Sequence, residues 1–258
     1  MYLSARHINI KLKQDSTNFS NDEDYKAIIV CDGIGEFSQS QIVSEKITEV
    51  MIEKAYTDIS QLIQDSEIIA LKDNTENGGT TVIFAVIEKN KKIKIQHLGN
   101  GGCIKLNGDF NQSSQGLVPY KYNHLINPHI NDSGALTKHL SKEIGKQERI
   151  VSEITISLNN SNGDILLFFT DGINSLEENV IIKDNEGRFW RHESSSIQII
   201  LEKLHVFLME NNNSSDFQDK LIYFNEGVLN DLNDLNLLED DASLGIIITE
   251  DVLKLYRK

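Results

Sequence analysis

Along this chain of 258 residues the spacing of apolar positions changes several times, and each change marks a new element. Residues 5–12, ARHINIKL, alternate apolar and polar over most of their length, the period of a half-buried strand. Residues 25–31 close on the apolar run AIIVC, which predicts a strand covered on both faces. From Ser38 to about Leu71 the interval lengthens. Val43, Ile47, Val50 and Met51, then Ile59, Leu62 and Ile63, follow helical spacing with no Pro or Gly between them. This predicts two helices or one long broken one. Residues 79–106 predict a meander, with TTVIFAVIE and KIKIQHLG joined by KNKK, and GCIKL following GNG.

The stretch 107–134 is irregular and holds both prolines, Pro119 and Pro128. It is expected to be a surface excursion within one domain spanning 1–258. GALTKHLSKEI then predicts a short helix, RIVSEITISL a strand and DILLFFT a central strand. Residues 194–210 place Ile197, Ile200, Leu201, Leu204, Phe207 and Leu208 on one face of an amphipathic helix. A weaker helix follows NNNSSD, and SLGIIIT closes the pattern as a strand. Strands, helices, a meander, then helix and strand again predict an α+β layered fold.

The hydrophobic fraction of 39% suffices for a core, and no apolar run is long enough to cross a membrane. The first residues lack the charged-then-apolar layout of a signal peptide. The net charge of −14 disfavours binding to nucleic-acid backbones. Cys31 and Cys103 have no metal-ligand spacing, so a structural zinc site is not expected and a reducing cytoplasm is the expected setting. The seven histidines likewise show no tight pairing.

Three apolar runs meet acids. AIIVCDGIGEF places Asp32-Gly33 after one run, DILLFFTDGINS places Asp171-Gly172 after another, and EDDASLGIIIT places Asp240 and Asp241 before a third. Asp and Gly are common turn formers, so one instance signifies little. Converging carboxylates, however, repel unless protonated or bound to cations. Mg²⁺ and Mn²⁺ prefer such oxygen ligands, and two of these ions can share a carboxylate and activate a water for attack on phosphorus.

These residues carry a resemblance to the PPM-type (type 2C) metal-dependent serine/threonine protein phosphatases, in register over most of the chain. KQDS, with Asp15 seventeen residues before Asp32, resembles the family's N-E/Q-D-S element. VCDGIGEF is similar to D-G-x-G-G, and NGGTTVIFAVI to its G-[ST]-T strand. IQHLGNGGCIKL resembles N-x-G-D-S-R-x-x-L, and GALTKHLSKE resembles L-T-R-x-L-G. DILLFFTDGINSL and EDDASLGIIIT resemble the family's last two acidic strand ends. The resemblance implies a two-sheet β-sandwich flanked by helices in α-β-β-α layers, with a dinuclear metal cleft at one end. It implies two Mn²⁺ or Mg²⁺ ions and a phosphoserine or phosphothreonine protein as substrate.

By position, Asp32 would bridge both ions and Gly33 would offer its carbonyl to the second. Asp171 and Asp240 would complete the first ion's ligands, and Asp15 would hold a water. Asp241 would orient a loop. TDGINSLEENVIIKDNEGRFW resembles the loop of the branch acting on anti-sigma-antagonist proteins. The chain departs from the pattern at several positions. Ile10 stands where the family has a phosphate-gripping arginine, making Arg6 the substitute candidate. Ile34 stands where many eukaryotic members carry a histidine, Glu36 replaces a glycine, and Asn100 replaces an aspartate of the third ion site. A third ion is therefore not expected. The alternative reading is a pseudophosphatase, the same fold serving as a regulatory binding module.

Overall fold

The computed structural model describes all residues except 75–76, 112–121, 134, 142–150, 174–180, 184–188, 192–194 and 258. The side chains of 63, 72, 181–183, 189–191 and 195 are also outside the description. Strand β1 is Tyr2–Ile8, β2 Ser16–Asn21 and β3 Lys26–Cys31. Helices α1 (Ser40–Glu53), α2 (Ser60–Gln64) and α3 (Ser66–Asn74) follow. Next come β4 (Gly79–Thr80), β5 (Val82–Ile87), β6 (Lys92–Leu98), β7 (Gly102–Asn107), β8 (Tyr122–His124) and β9 (Leu140–Ser141). The remainder is β10 (Ser152–Ser157), β11 (Asp164–Phe169), β12 (Ile181–Lys183), β13 (Phe189–Arg191), α4 (Ser195–Asn211), α5 (Phe217–Asp234), β14 (Ala242–Ile248) and α6 (Glu250–Tyr256).

Two antiparallel five-stranded sheets form, ordered β1-β14-β11-β7-β8 and β10-β6-β5-β3-β2. They pack face to face over Leu3, Ala5, Ile28, Val30, Ile95, Leu166, Phe168 and Ile247. Helices α4, α5 and α6 cover the first sheet through Leu204, Phe207, Leu221, Leu229 and Val252. Helices α1–α3 cover the second through Val43, Ile47, Met51, Leu62 and Ile68. The layers are α-β-β-α, as the resemblance implied. Every residue of β11 and β14 is buried, which explains their unbroken apolar runs.

Several expectations need correction. The first strand spans Tyr2–Ile8, not 5–12, because the backbone N–H groups of Ile10 and Lys11 turn to the Asp241 carboxylate. Strand β2 lacks any apolar alternation; it lies at a sheet edge, with Ser16 hydrogen-bonded to Thr48 of α1 at 2.8 Å. The region 38–71 contains three helices, interrupted where Ala55 adopts φ 49° and where Asp65 caps α3. The short helix expected in GALTKHLSKEI is absent from its described residues. Leu136 instead bridges Ile130, and Leu140–Ser141 pair with β4. The helix after NNNSSD is long, and α6 follows the last strand. Among the described residues no helix is long and apolar enough to cross a membrane.

Candidate active site

Antiparallel pairing brings the acids together. Ser16 faces Cys31 in one sheet, which puts Asp15 and Asp32 at the same strand end. Phe169 faces Leu244 in the other, which puts Asp171 near Asp240 and Asp241. Both pairs of ends open on one cavity of about 380 Å³, whose lining includes Asp32, Gly33, Asn100, Asp171, Asp240 and His139.

Backbone and hydroxyl groups around the strand ends hold the acids. The Asp32 carbonyl accepts the Thr81 N–H at 2.7 Å and the Thr80 hydroxyl at 2.9 Å, which gives the Gly-Thr-Thr stretch its purpose. The Gly33 N–H donates to the Gln14 carbonyl at 3.1 Å. A Cβ at Gly33 would lie 2.6 Å from Gln14 Cβ and 2.9 Å from Ser40 Cβ, so no larger residue fits there without a shift. Asp15, 1% exposed, takes hydroxyl bonds on Oδ2 from Thr170 and Ser243, both at 2.8 Å. Those two hydroxyls belong to the opposite sheet, so Asp15 ties the two layers together at the cleft.

The electrostatics are those of a site short of positive charge. Burial pushes Asp15 up to about 7, against the lowering effect of the Ser243 and Thr170 hydroxyls. Burial, then the charges of Asp15 and Asp171, pushes Asp32 well above the carboxylate range. Burial and the charge of Asp240 also raise Asp171. Without a cation the cluster must keep protons that isolated carboxylates would release.

The donor set suits a hard dication. All its groups are oxygen ligands, and Asp15 Oδ1 is buried without a hydrogen-bond donor. Among the described residues, however, no three acidic, imidazole or thiol groups stand poised to hold an ion. Two side chains already engage these carboxylates: Asn100 Nδ2 donates to Asp171 Oδ2, and Lys11 Nζ pairs with Asp240 Oδ2 at 3.4 Å.

Asp241 orients a loop, as expected for that position: its Oδ1 accepts the N–H groups of Ile10 and Lys11, both at 2.7 Å, and its Oδ2 accepts that of Gln14 at 2.8 Å. Arg6 departs from expectation. It alternates with Ser4 and Ile8 on the helix-covered face of β1, its Nη1 donates to the Ala5 carbonyl at 3.1 Å, and it does not line the cavity. Lys11 and His139 were missed: Lys11 sits in no recognisable motif, and the seven histidines, His139 among them, show no tight pairing. Cys31 is fully buried beside the acids, with its thiol pushed well up by burial. Of the loop after Thr170 that resembled the partner-switching branch, residues 174–180 and 184–188 lie outside the described residues; β12 and β13 pair antiparallel.

No family model matches the chain, and no curated protein matches its sequence. Solved structures do. The serine/threonine phosphatase Stp1 from Staphylococcus aureus is similar with a TM-score of 0.60 at 15% identity, over 96% of this chain and 94% of that one. A bacterial serine phosphatase is similar with a TM-score of 0.58 at 16% identity, over 96% and 97%. RsbX, solved in complex with magnesium, is similar with a TM-score of 0.54 at 15% identity, over 95% and 94%. The chain thus has the fold of the PPM-type phosphatases that its motifs resemble.

Proposed function

We propose that the protein is a metal-dependent phosphatase that hydrolyses phosphoserine or phosphothreonine in a protein substrate. The observation that carries this reading is the convergence of Asp32, Asp171 and Asp240 on one cavity at a strand end, with Asp15 buried beside Asp32, within a fold shared with serine/threonine phosphatases. Asp32 would hold two Mn²⁺ or Mg²⁺ ions, with Asp171 and Asp240 on one and the Gly33 carbonyl on the other. Bound there, the ions would supply Lewis-acid activation of a water and neutralise charge on the phosphoryl group.

The chain's own residues do the positioning. Asp15 is fixed through Oδ2, and its carboxyl, buried beside Asp32, would orient a metal-bound water. Thr80 and Thr81 clamp the Asp32 backbone, so its carboxylate cannot drift with the loop. Asp240 already lines the cavity with Asp32 and Asp171, and an ion there would compete with its half-exposed pairing to Lys11. Released Lys11 would then be a cation beside Asp240 able to meet a phosphate oxygen.

The binding-module reading rests on the same ion pair, since a lysine seated on Asp240 can neutralise part of the cluster in place of a metal. Hydrolysis of an aryl phosphate, with and without Mn²⁺ and after chelation, separates the two. Expected are metal-dependent turnover and a loss of at least about a hundredfold in Asp32→Asn, roughly 2.7 kcal/mol of barrier. No turnover at millimolar Mn²⁺ would favour the binding module.

A further inference from the structure

Behind the acids two imidazoles lie face to face: His97 and His129 stack with centroids 4.4 Å apart and planes 4° from parallel. Their hydrogen bonds define their tautomers. The Gly99 N–H can only donate, so His129 Nδ1, 3.1 Å away, carries the lone pair. Its proton is therefore on Nε2, which donates to Ser152 Oγ at 2.7 Å. His97 Nε2 lies 2.9 Å from the Asn127 carbonyl, an acceptor only, so that nitrogen is also protonated. His129 is therefore neutral, and burial lowers His97 from the ordinary imidazole value. Burial, with His97 and Lys138 adding to it, pushes His129 down to about 4.

The second contact makes the arrangement specific. The His129 backbone N–H donates to the Gly99 carbonyl at 2.8 Å, so one residue holds both polar groups of Gly99. Gly99 has φ 129°, and a Cβ there would lie 2.4 Å from Thr81 Cβ. Thr81 in turn clamps Asp32. The next residue is Asn100, whose amide donates to Asp171 Oδ2.

We propose that His129 is a positioning residue for the acidic site: by gripping Gly99 it aims the Asn100 amide at Asp171. The inference rests on the phosphatase reading for its effect on turnover, but its geometry can be tested separately. A neutral donor on Oδ2 favours the ionised form of Asp171 and leaves Oδ1 for an ion. Asn100 thus acts as a donor to the site, where the aspartate of the resembling family would add charge.

The test compares His129→Asn with His129→Leu in the full chain. Both lose the ring stack and the Ser152 bond. Only Asn keeps an acceptor close to the place of Nδ1. The first readout is the Asn100 side-chain amide resonance of the metal-free protein, assigned by its disappearance in Asn100→Ala. His129→Leu should shift it upfield and speed its exchange at least tenfold, whereas His129→Asn should stay near wild type. The second is the Mg²⁺ concentration for half-maximal aryl phosphate turnover, expected to rise about tenfold in His129→Leu and less than threefold in His129→Asn. An unchanged Asn100 resonance in His129→Leu, or equal losses in the two variants, would overturn the proposal. If His129→Leu does not fold, His129→Ala carries the test, since it also removes Nδ1 and introduces no bulk. An Asn100 resonance identical to wild type there would equally overturn it. A wild type without metal-dependent turnover would instead sink the phosphatase reading, while the resonance would still decide the positioning role.

Discussion

Asp241 holds Gln14 across 227 positions of chain, its Oδ2 accepting the Gln14 backbone N–H at 2.8 Å. The same carboxylate accepts from Ile10 and Lys11, so residues 10–14 wrap around one side chain and deliver Asp15 to the cleft. Asn at position 241 would turn one acceptor into a donor facing a backbone N–H. Asp241→Asn is therefore expected to cost about 2 kcal/mol, since hydrogen bonds to a charged group contribute about 1.5–3 kcal/mol each. The melting temperature should fall by roughly 4–8 °C, and turnover by at least about tenfold as Asp15 loses its placement. Calorimetry and steady-state rates check this; normal values for both would deny the loop its dependence on Asp241.

Lys11 sits where a dication would compete with it. Removing its charge in Lys11→Met frees Asp240, so Mn²⁺ should bind about two- to fivefold more tightly, a size set by the weakness of exposed ion pairs. If Lys11 also meets the substrate phosphate, KM for a phosphopeptide should rise in the same variant. Titration calorimetry and KM separate the two effects. Unchanged Mn²⁺ affinity would mean that the ion pair is incidental.

Arg6 makes the opposite prediction. Its guanidinium lies on the helix-covered face of β1 and its recorded bond is to the neighbouring Ala5 carbonyl. Arg6→Ala should leave KM for a phosphopeptide and inhibition by inorganic phosphate within about twofold of wild type, a difference of roughly 0.4 kcal/mol. A tenfold rise in KM would return Arg6 to the site.

Asp65 offers a test of the fold away from the chemistry. Its Oδ2 meets Lys54 Nζ at 2.7 Å and the Tyr56 hydroxyl at 2.6 Å, while its Oδ1 caps α3 through the N–H groups of Glu67 and Ile68. Lys54 first, then Tyr56, holds its carboxyl well below the usual range. Because its folded value lies below the unfolded one, its contribution is complete above about pH 4 and is lost as pH falls through the folded value. Asp65→Ala should destabilise the protein by about 2 kcal/mol at neutral pH, from the lost cap and ion pair together. The gap from wild type should narrow in acid. A gap constant from pH 7 to pH 2.5 would show that the charge of Asp65 does not matter.

What the sequence determined by itself was local. Unbroken apolar runs in β3, β11 and β14 are legible because both faces of those strands are buried, and the acids stand at their ends because chain reversal there requires turn-forming residues. The face of α4 was legible for the same reason: Ile197, Ile200, Leu201 and Leu204 recur at the helical period and are all buried. Strand β2 escaped notice because an edge strand is stabilised by pairing with β3 and by Ser16–Thr48, which leave no apolar alternation in STNFSN. GALTKHLSKEI carries a helical spacing that its described residues do not follow, since Leu140 is committed to pairing with Thr80. Only the tertiary structure decided which residues share the cleft. Antiparallel register set Asp15 beside Asp32, and strand alternation turned Arg6 away. Long-range hydrogen bonds then placed Lys11 on Asp240, Asn100 on Asp171 and His129 on Gly99. These contacts join segments tens to hundreds of residues apart, and the spacing of apolar residues within any one segment carries no information about them.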